Sequence, residues 1–188
     1  SQTALSNRNL IINGAMQVAQ RGTSSTSAGY QTVDRFKNGF SGVAVTQSQE
    51  TLTSGDPYDA GFRHFYRQTN TSISSATSAY LQIEQRFEAQ DISKSAWNYK
   101  SSSSHITISF WARSSLTGTY YVQLRTHDGT EYRRNLSFTL VADTWKKIEV
   151  TTAGNSNLQI DNDADVGLSV FITPHYGTDF TGGEEVST

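Results

Sequence analysis

Three aromatic residues of this chain, Trp111, Tyr80 and Tyr121, stand in segments where rings and hydrogen-bonding groups recur at two-residue steps. Tyr80 is followed by Gln82, Glu84 and Arg86, Tyr121 by Gln123 and Arg125, and Trp111 by Arg113. A flat ring stacks on an apolar C–H surface, while planar amides, carboxylates and guanidinium groups engage pairs of hydroxyls. A sugar ring offers both kinds of surface. The pattern predicts stacking by Trp111, Tyr80 and Tyr121, and hydrogen bonding by Gln82, Glu84, Gln123, Arg125 and Arg113. An alternative stands beside it: Trp111 lies under a loop or a neighbouring subunit, and the charges form ordinary cross-strand pairs.

Other chemistries find little support. The four histidines, His64, His105, His127 and His175, do not pair at metal-ligand spacing, and His127 falls in a Thr-His-Asp-Gly-Thr turn. No nucleophile elbow, phosphate-binding loop or zinc-protease helix motif occurs. Glu84 is the only acid on the binding face read from the sequence, one carboxylate fewer than glycoside hydrolysis by a pair requires. The acidic Asp161–Gly167 segment has oxygen ligands at alternate positions, but its glycine falls one residue late and no bidentate Glu follows. It reads as a solvated turn, with a structural cation as the alternative, so no metal or other cofactor is expected. Asn70-Thr71-Ser72 and Asn135-Leu136-Ser137 match the glycosylation sequon, which matters only in a eukaryotic secretory cell.

The elements that must carry these residues are strands. From Ser103 to Val150 four alternating apolar and polar runs follow one another: Ile106, Ile108 and Phe110 point one way, Thr107, Ser109 and Trp111 the other. In Ser78–Phe87 the core set is Ala79, Leu81, Ile83 and Phe87; in Tyr120–Thr126 it is Tyr120, Val122 and Leu124. Further strands are predicted over Val33–Phe40, Val43–Gln49, Phe62–Thr69 and Gly167–Thr173. Thr53–Ala60 reads as a loop, and Glu88–Ala96 as two helical turns beginning near Ala89. About ten short strands separated by turn residues predict an all-β fold, a jelly roll or β-sandwich of two antiparallel sheets.

Length and composition set the bounds. The chain has 188 residues, no cysteine, 17% charged residues and a formal net charge of −2. That length suits one domain. Disulfide stapling and thiolate chemistry are excluded. The charge offers no reason to expect nucleic acid or an anionic membrane surface, and no apolar run reaches membrane-spanning length. Residues 1–8 read as a polar lead-in and 9–188 as a single domain. The chain begins at Ser1 rather than Met, as a processed protein or a piece of a longer one would.

The opening Asn9-Leu-Ile-Ile-Asn-Gly14 resembles the first strand of jelly rolls of the carbohydrate-binding-module type, families 4 and 9. Ile106–Arg113, Val122–Arg125 and Phe138–Lys146 resemble internal segments of the same type. Residues 9–24, Tyr30–Phe36 and the Asp161–Gly167 turn are similar to domains of bacteriophage tail fibres and other virion appendages. The resemblance covers most of the chain. It implies a two-sheet jelly roll, often on a trimeric fibre, that meets cell-surface glycan. Such domains usually close with a further apolar strand, whereas this chain ends in Gly182–Thr188. That strand would follow Thr188, come from another chain, or be lost. The acidic residue that secreted modules often carry near Gly14 is also missing, which puts their structural calcium site in doubt here.

The expectation is therefore a non-enzymatic phage virion protein, assembled in the host cytoplasm, in which weak glycan contacts gain strength by repetition over an oligomer, a trimer by analogy. Its partners would be other virion subunits and host glycan. Two alternatives remain. One is a capsid-decoration or fibre-building protein that binds no sugar; the other is an accessory carbohydrate-binding module of a secreted polysaccharide-degrading enzyme.

Overall fold

Alternation along the chain becomes ten strands in the computed structural model, which describes residues 9–180. These are β1 (Ser24–Ser25), β2 (Lys37–Ser41), β3 (Val43–Thr51), β4 (His64–Ile73) and β5 (Tyr80–Glu88), followed by β6 (His105–Ala112), β7 (Gly118–Thr126), β8 (Arg133–Leu140), β9 (Lys146–Ala153) and β10 (Val166–Tyr176). Two short helices, α1 (Asp56–Asp59) and α2 (Ala89–Ser93), complete the frame with a 3-10 turn at Thr178–Phe180. The lead-in 1–8 and the Gly182–Thr188 ending lie outside the described residues.

The expected all-β sandwich is present. One layer is a five-stranded antiparallel sheet in the order β2-β5-β10-β7-β8. The opposite layer is divided into two separately bonded sheets, β1-β3-β4 and β6-β9. Between the five-stranded sheet and β6-β9 lies the apolar core. Phe87, Val122, Leu124, Phe138, Leu140, Leu168 and Val170 meet Ile148 and Val150, with Ile92 of α2 and Ile160 closing one end. Each such side chain contributes roughly 1.5–3 kcal/mol when buried. The Phe138 ring takes Phe110 edge-on at 5.6 Å and stacks with Tyr120 at 5.9 Å.

The other half of the sandwich is joined by amides. Gln68 of β4 donates through Nε2 to Asn38 Oδ1 of β2 at 2.6 Å and to the Gln82 carbonyl at 3.2 Å. Gln47, fully buried, accepts from Thr32 Oγ1 and Tyr66 and donates to the Ser27 carbonyl. Buried amides need such partners, because an unmade bond in the interior costs more than a made one returns.

Asn9–Gly14 departs from its expected strand. Leu10 and Ile11 pack on the core, but residues 12–15 form a turn in which Asn13 takes φ 57°. The segment is bonded by a side chain instead of a ladder. Gln85, which points to the core between Ile83 and Phe87, accepts from Ile12 N–H through Oε1 (3.2 Å) and donates through Nε2 to the Ile12 carbonyl (2.9 Å). Gln85→Leu removes both bonds, and we expect a loss of about 1–2 kcal/mol. Hydrogen exchange at the Ile12 amide is the check: protection there should fall further than in β7 or β10.

The acidic Asp161–Gly167 turn has a structural task. The carbonyls of Asp165 and Asp163 accept from the Ala89 and Gln90 N–H groups at 2.9 Å each. These bonds hold the first turn of α2, whose preceding Glu88 makes no side-chain cap.

Candidate binding face

The side of the five-stranded sheet turned away from the core gathers most of the predicted site. Residues opposite one another on paired strands point the same way, so register converts directly into rows. Arg86, Ser169, Arg125 and Arg133 form one row across β5, β10, β7 and β8. The next row runs Lys37, Glu84, Phe171, Gln123, Asn135, from β2 to β8. Beyond it come Gly39 and Gln82 on one side, and Thr173, Tyr121 and Ser137 on the other. A bulge in β10 between Ile172 and His175 then brings Tyr176 opposite Tyr80.

Tyr80, Gln82, Glu84, Tyr121, Gln123 and Arg125 thus share one face. Trp111 and Arg113 do not join them. β6 pairs with β9 in the opposite layer, where Trp111 stands across from Lys147, half-buried on the side away from the core. Arg113 follows the end of β6 and pairs with Asp143 at 3.0 Å, both side chains largely exposed. Placing these two with the β5 and β7 residues is corrected by that pairing, since alternation sorts a strand's two faces without naming its neighbour.

Glu84 is the electrostatic centre of the face and is only 2% exposed. Arg86 donates to it twice, through Nε at 2.5 Å and Nη2 at 3.3 Å. Lys37 Nζ stands 3.4 Å away, and Ser169 Oγ donates to Oε1 at 3.2 Å. Burial by itself would raise the Glu84 pKa, but the bonds and charges of Arg86 and Lys37 outweigh it and hold the carboxyl below its ordinary value. His127 Nε2 lies 2.8 Å from the same Ser169 oxygen. Burial and the neighbouring Arg125 and Arg86 lower the His127 pKa, so its ring is neutral near pH 7. Because the Ser169 hydroxyl donates to Glu84, its oxygen is left to accept, which suits the His127 tautomer that carries its proton on Nε2. The order is His–Ser–Glu, with the serine in the middle and its hydroxyl donating to an ionised acid.

The rest of the face differs in exposure. Tyr121 is 46% exposed, whereas Phe171 and Gln123 are buried, and Gln123 donates to Asn135 Oδ1 at 2.9 Å. Tyr176 donates to Gln82 Oε1 at 2.6 Å, and burial raises its pKa to about 12. Tyr80 and Tyr176 both pack on the ring of Phe180. Gly39 leaves room for the Gln82 side chain, which would stand 3.0 Å from a Cβ there.

Several residues of this face escape the sequence reading. Glu131, in the turn after β7, is a second acid here, bonded by Arg125 at 2.7 Å and Arg133 at 2.7 Å. The count of one carboxylate is corrected accordingly. Tyr30 joins from the loop before β2, where Gly29 and Asn38 exchange two backbone bonds and bring Tyr30 level with Lys37. Burial raises the Tyr30 pKa, against the opposing charge of Arg86. A glycine and a ring beside a short strand carry little signal. The Glu-x-Arg pair at 131 and 133 was a legible hint.

No protein-family model matches the chain, and no curated protein matches it. Among solved structures it is similar to the enzymatically active domain of tailspike protein 4 from bacteriophage CBA120, at 11% sequence identity and a TM-score of 0.49. The match covers 90% of this chain and 20% of that one, so this chain spans about a fifth of its length. The description of that domain as enzymatically active runs against the expectation of a non-enzymatic chain, and the expectation is withdrawn. The activity named is that protein's.

Proposed function

We propose that this chain is a domain of a bacteriophage virion surface protein, and that it holds carbohydrate on the outer face of its five-stranded sheet. The observation that carries the reading is the convergence of Tyr80, Gln82, Glu84, Tyr121, Gln123 and Arg125 on one face, rings beside planar hydrogen-bonding groups. The virion context rests on the likeness of residues 9–24, Tyr30–Phe36 and Asp161–Gly167 to phage appendage domains. Tyr121, the most exposed ring of the face, takes the apolar side of a sugar. Gln82 and Arg125 reach its hydroxyls. Glu84 is too deeply covered to be the first contact and instead fixes Arg86 and Lys37 in place. Each contact is weak, and repetition on an oligomeric appendage supplies the avidity.

An array of bacterial surface polysaccharides, lipopolysaccharide O-chains and capsules, tests this. Binding is expected, with Tyr121→Ala weakening it roughly tenfold, about 1.4 kcal/mol, and Trp111→Ala leaving it unchanged. Binding that depends on Trp111 and ignores Tyr121 assigns the site to the other layer. If no polysaccharide is bound and the assembled protein protects Tyr121 from solvent, the face is a subunit contact, a role that also favours Tyr and Arg.

A further inference from the structure

Resting on that carbohydrate reading, we infer that the ligand is an acidic saccharide, its anionic group held by the row of Arg86, Arg125 and Arg133. The row lies along one line of register, with Ser169 between Arg86 and Arg125. Each carboxylate beside it is shared by two cations. Glu131 takes Arg125 on one oxygen and Arg133 on the other, and Glu84 takes Arg86 and Lys37. Four cations therefore meet two anions. A third carboxylate, Glu88, lies one pleat farther along β5 and is bonded by Gln90, which still leaves the face positive. The chain as a whole is negative, at −2. The positive excess is local to this face.

The guanidinium groups are also presented. The Arg125 and Arg133 side chains are 33% exposed and that of Arg86 40%. Toward Glu131, Arg125 and Arg133 use their Nε and Nη2 groups, so each keeps its Nη1 edge for another acceptor. A planar fork of N–H donors matches a carboxylate or phosphate better than it matches a hydroxyl. Glu84 and Glu131 keep the forks in orientation, so less side-chain freedom is lost when a ligand arrives. A neutral sugar would leave the excess charge unmatched.

The test takes every polysaccharide that binds on the array and compares it with its carboxyl-reduced or dephosphorylated form. Binders are expected to be anionic and to lose at least tenfold in affinity on neutralisation, and the form whose neutralisation matters identifies carboxylate or phosphate as the group. Affinity should fall as ionic strength rises, Arg125→Gln should weaken acidic binders at least tenfold, and Arg113→Gln on the other layer should leave them unchanged. Binders that are neutral, or that survive neutralisation and salt undiminished, overturn this inference and leave the carbohydrate reading standing. Absence of any bound polysaccharide overturns both.

Discussion

Arg86→Leu is expected to lower the unfolding free energy by about 3 kcal/mol, because it strips the main partner from a carboxylate that is almost wholly buried. Lys37 remains at 3.4 Å and Ser169 still donates, so the loss is not the full cost of an isolated charge. Lys37→Met should cost less, since Arg86 keeps both of its bonds to Glu84. Chemical unfolding of the two variants, with Glu84→Leu combined with Arg86→Leu as the reference, separates the pair from its surroundings. The doubly apolar variant should recover much of the loss, as apolar replacements of buried ion pairs commonly do. A pH series adds a signed test. The Glu84 carboxyl is lowered in the folded state, so its stabilisation is present above the ordinary carboxylate range and fades as pH falls through that range toward its folded value. Wild type should therefore lose stability on acidification. In Arg86→Leu the lowering influence of Arg86 is gone, and that loss should shrink. An equal acid dependence in both proteins would show that Glu84 is not the group responsible.

The second large effect is steric. Gly167 sits at the start of β10 where α2 crosses it, and a Cβ there would lie 2.7 Å from Ala89 Cα, 2.8 Å from Ala89 Cβ and 2.9 Å from Ile160 Cγ2. Two of those atoms are the backbone and first side-chain carbon of a fully buried residue, so neither can swing aside. Gly167→Val should cost about 3 kcal/mol, the upper end of overpacking penalties, by prising α2 from the sheet. Gly118→Ala is the control: its nearest neighbour, at 3.8 Å, is an ordinary contact, and its effect should stay within about 0.5 kcal/mol. Thermal unfolding of both variants decides. Similar melting temperatures would mean that α2 is free to shift.

Much of this fold is legible in local pattern. The core sets of β5 and β7 follow from alternation, and α2 begins at the residue where helical character starts, Ala89. What alternation omits is partnership. Trp111 carries the right chemistry on the right side of its strand, yet β6 bonds to β9 and faces the other way. Gln85 breaks the apolar run of β5, and its purpose, holding Ile12, depends on a residue 73 positions away. The same holds for Asn9–Gly14, whose apolar residues suit a strand but find a side-chain amide as their bonding partner. Thr53–Ala60 reads as loop because Gly55-Asp56-Pro57 is turn chemistry; the proline instead opens α1, a first-turn position that suits it. Glu131 was missed because turn residues have no facing rule, and only its two arginine partners fix where it stands.

The bridge between Gly29 and Asn38 bears on how sheets of separate molecules meet. A strand at the rim of a sheet offers unpaired peptide groups to any chain that approaches, which is how edge-to-edge association begins. Along β2 the second residue, Asn38, has both its backbone groups engaged by Gly29, at 2.8 and 3.1 Å, so a newcomer must first displace that loop. The opposite rim is β8, headed by the consecutive arginines Arg133 and Arg134. On that strand the Thr139 carbonyl already accepts from Lys146 Nζ of β9 at 3.0 Å. Each rim has a peptide group engaged by its own chain, Asn38 by Gly29 and Thr139 by Lys146, protection that matters when many copies of a sheet are crowded together.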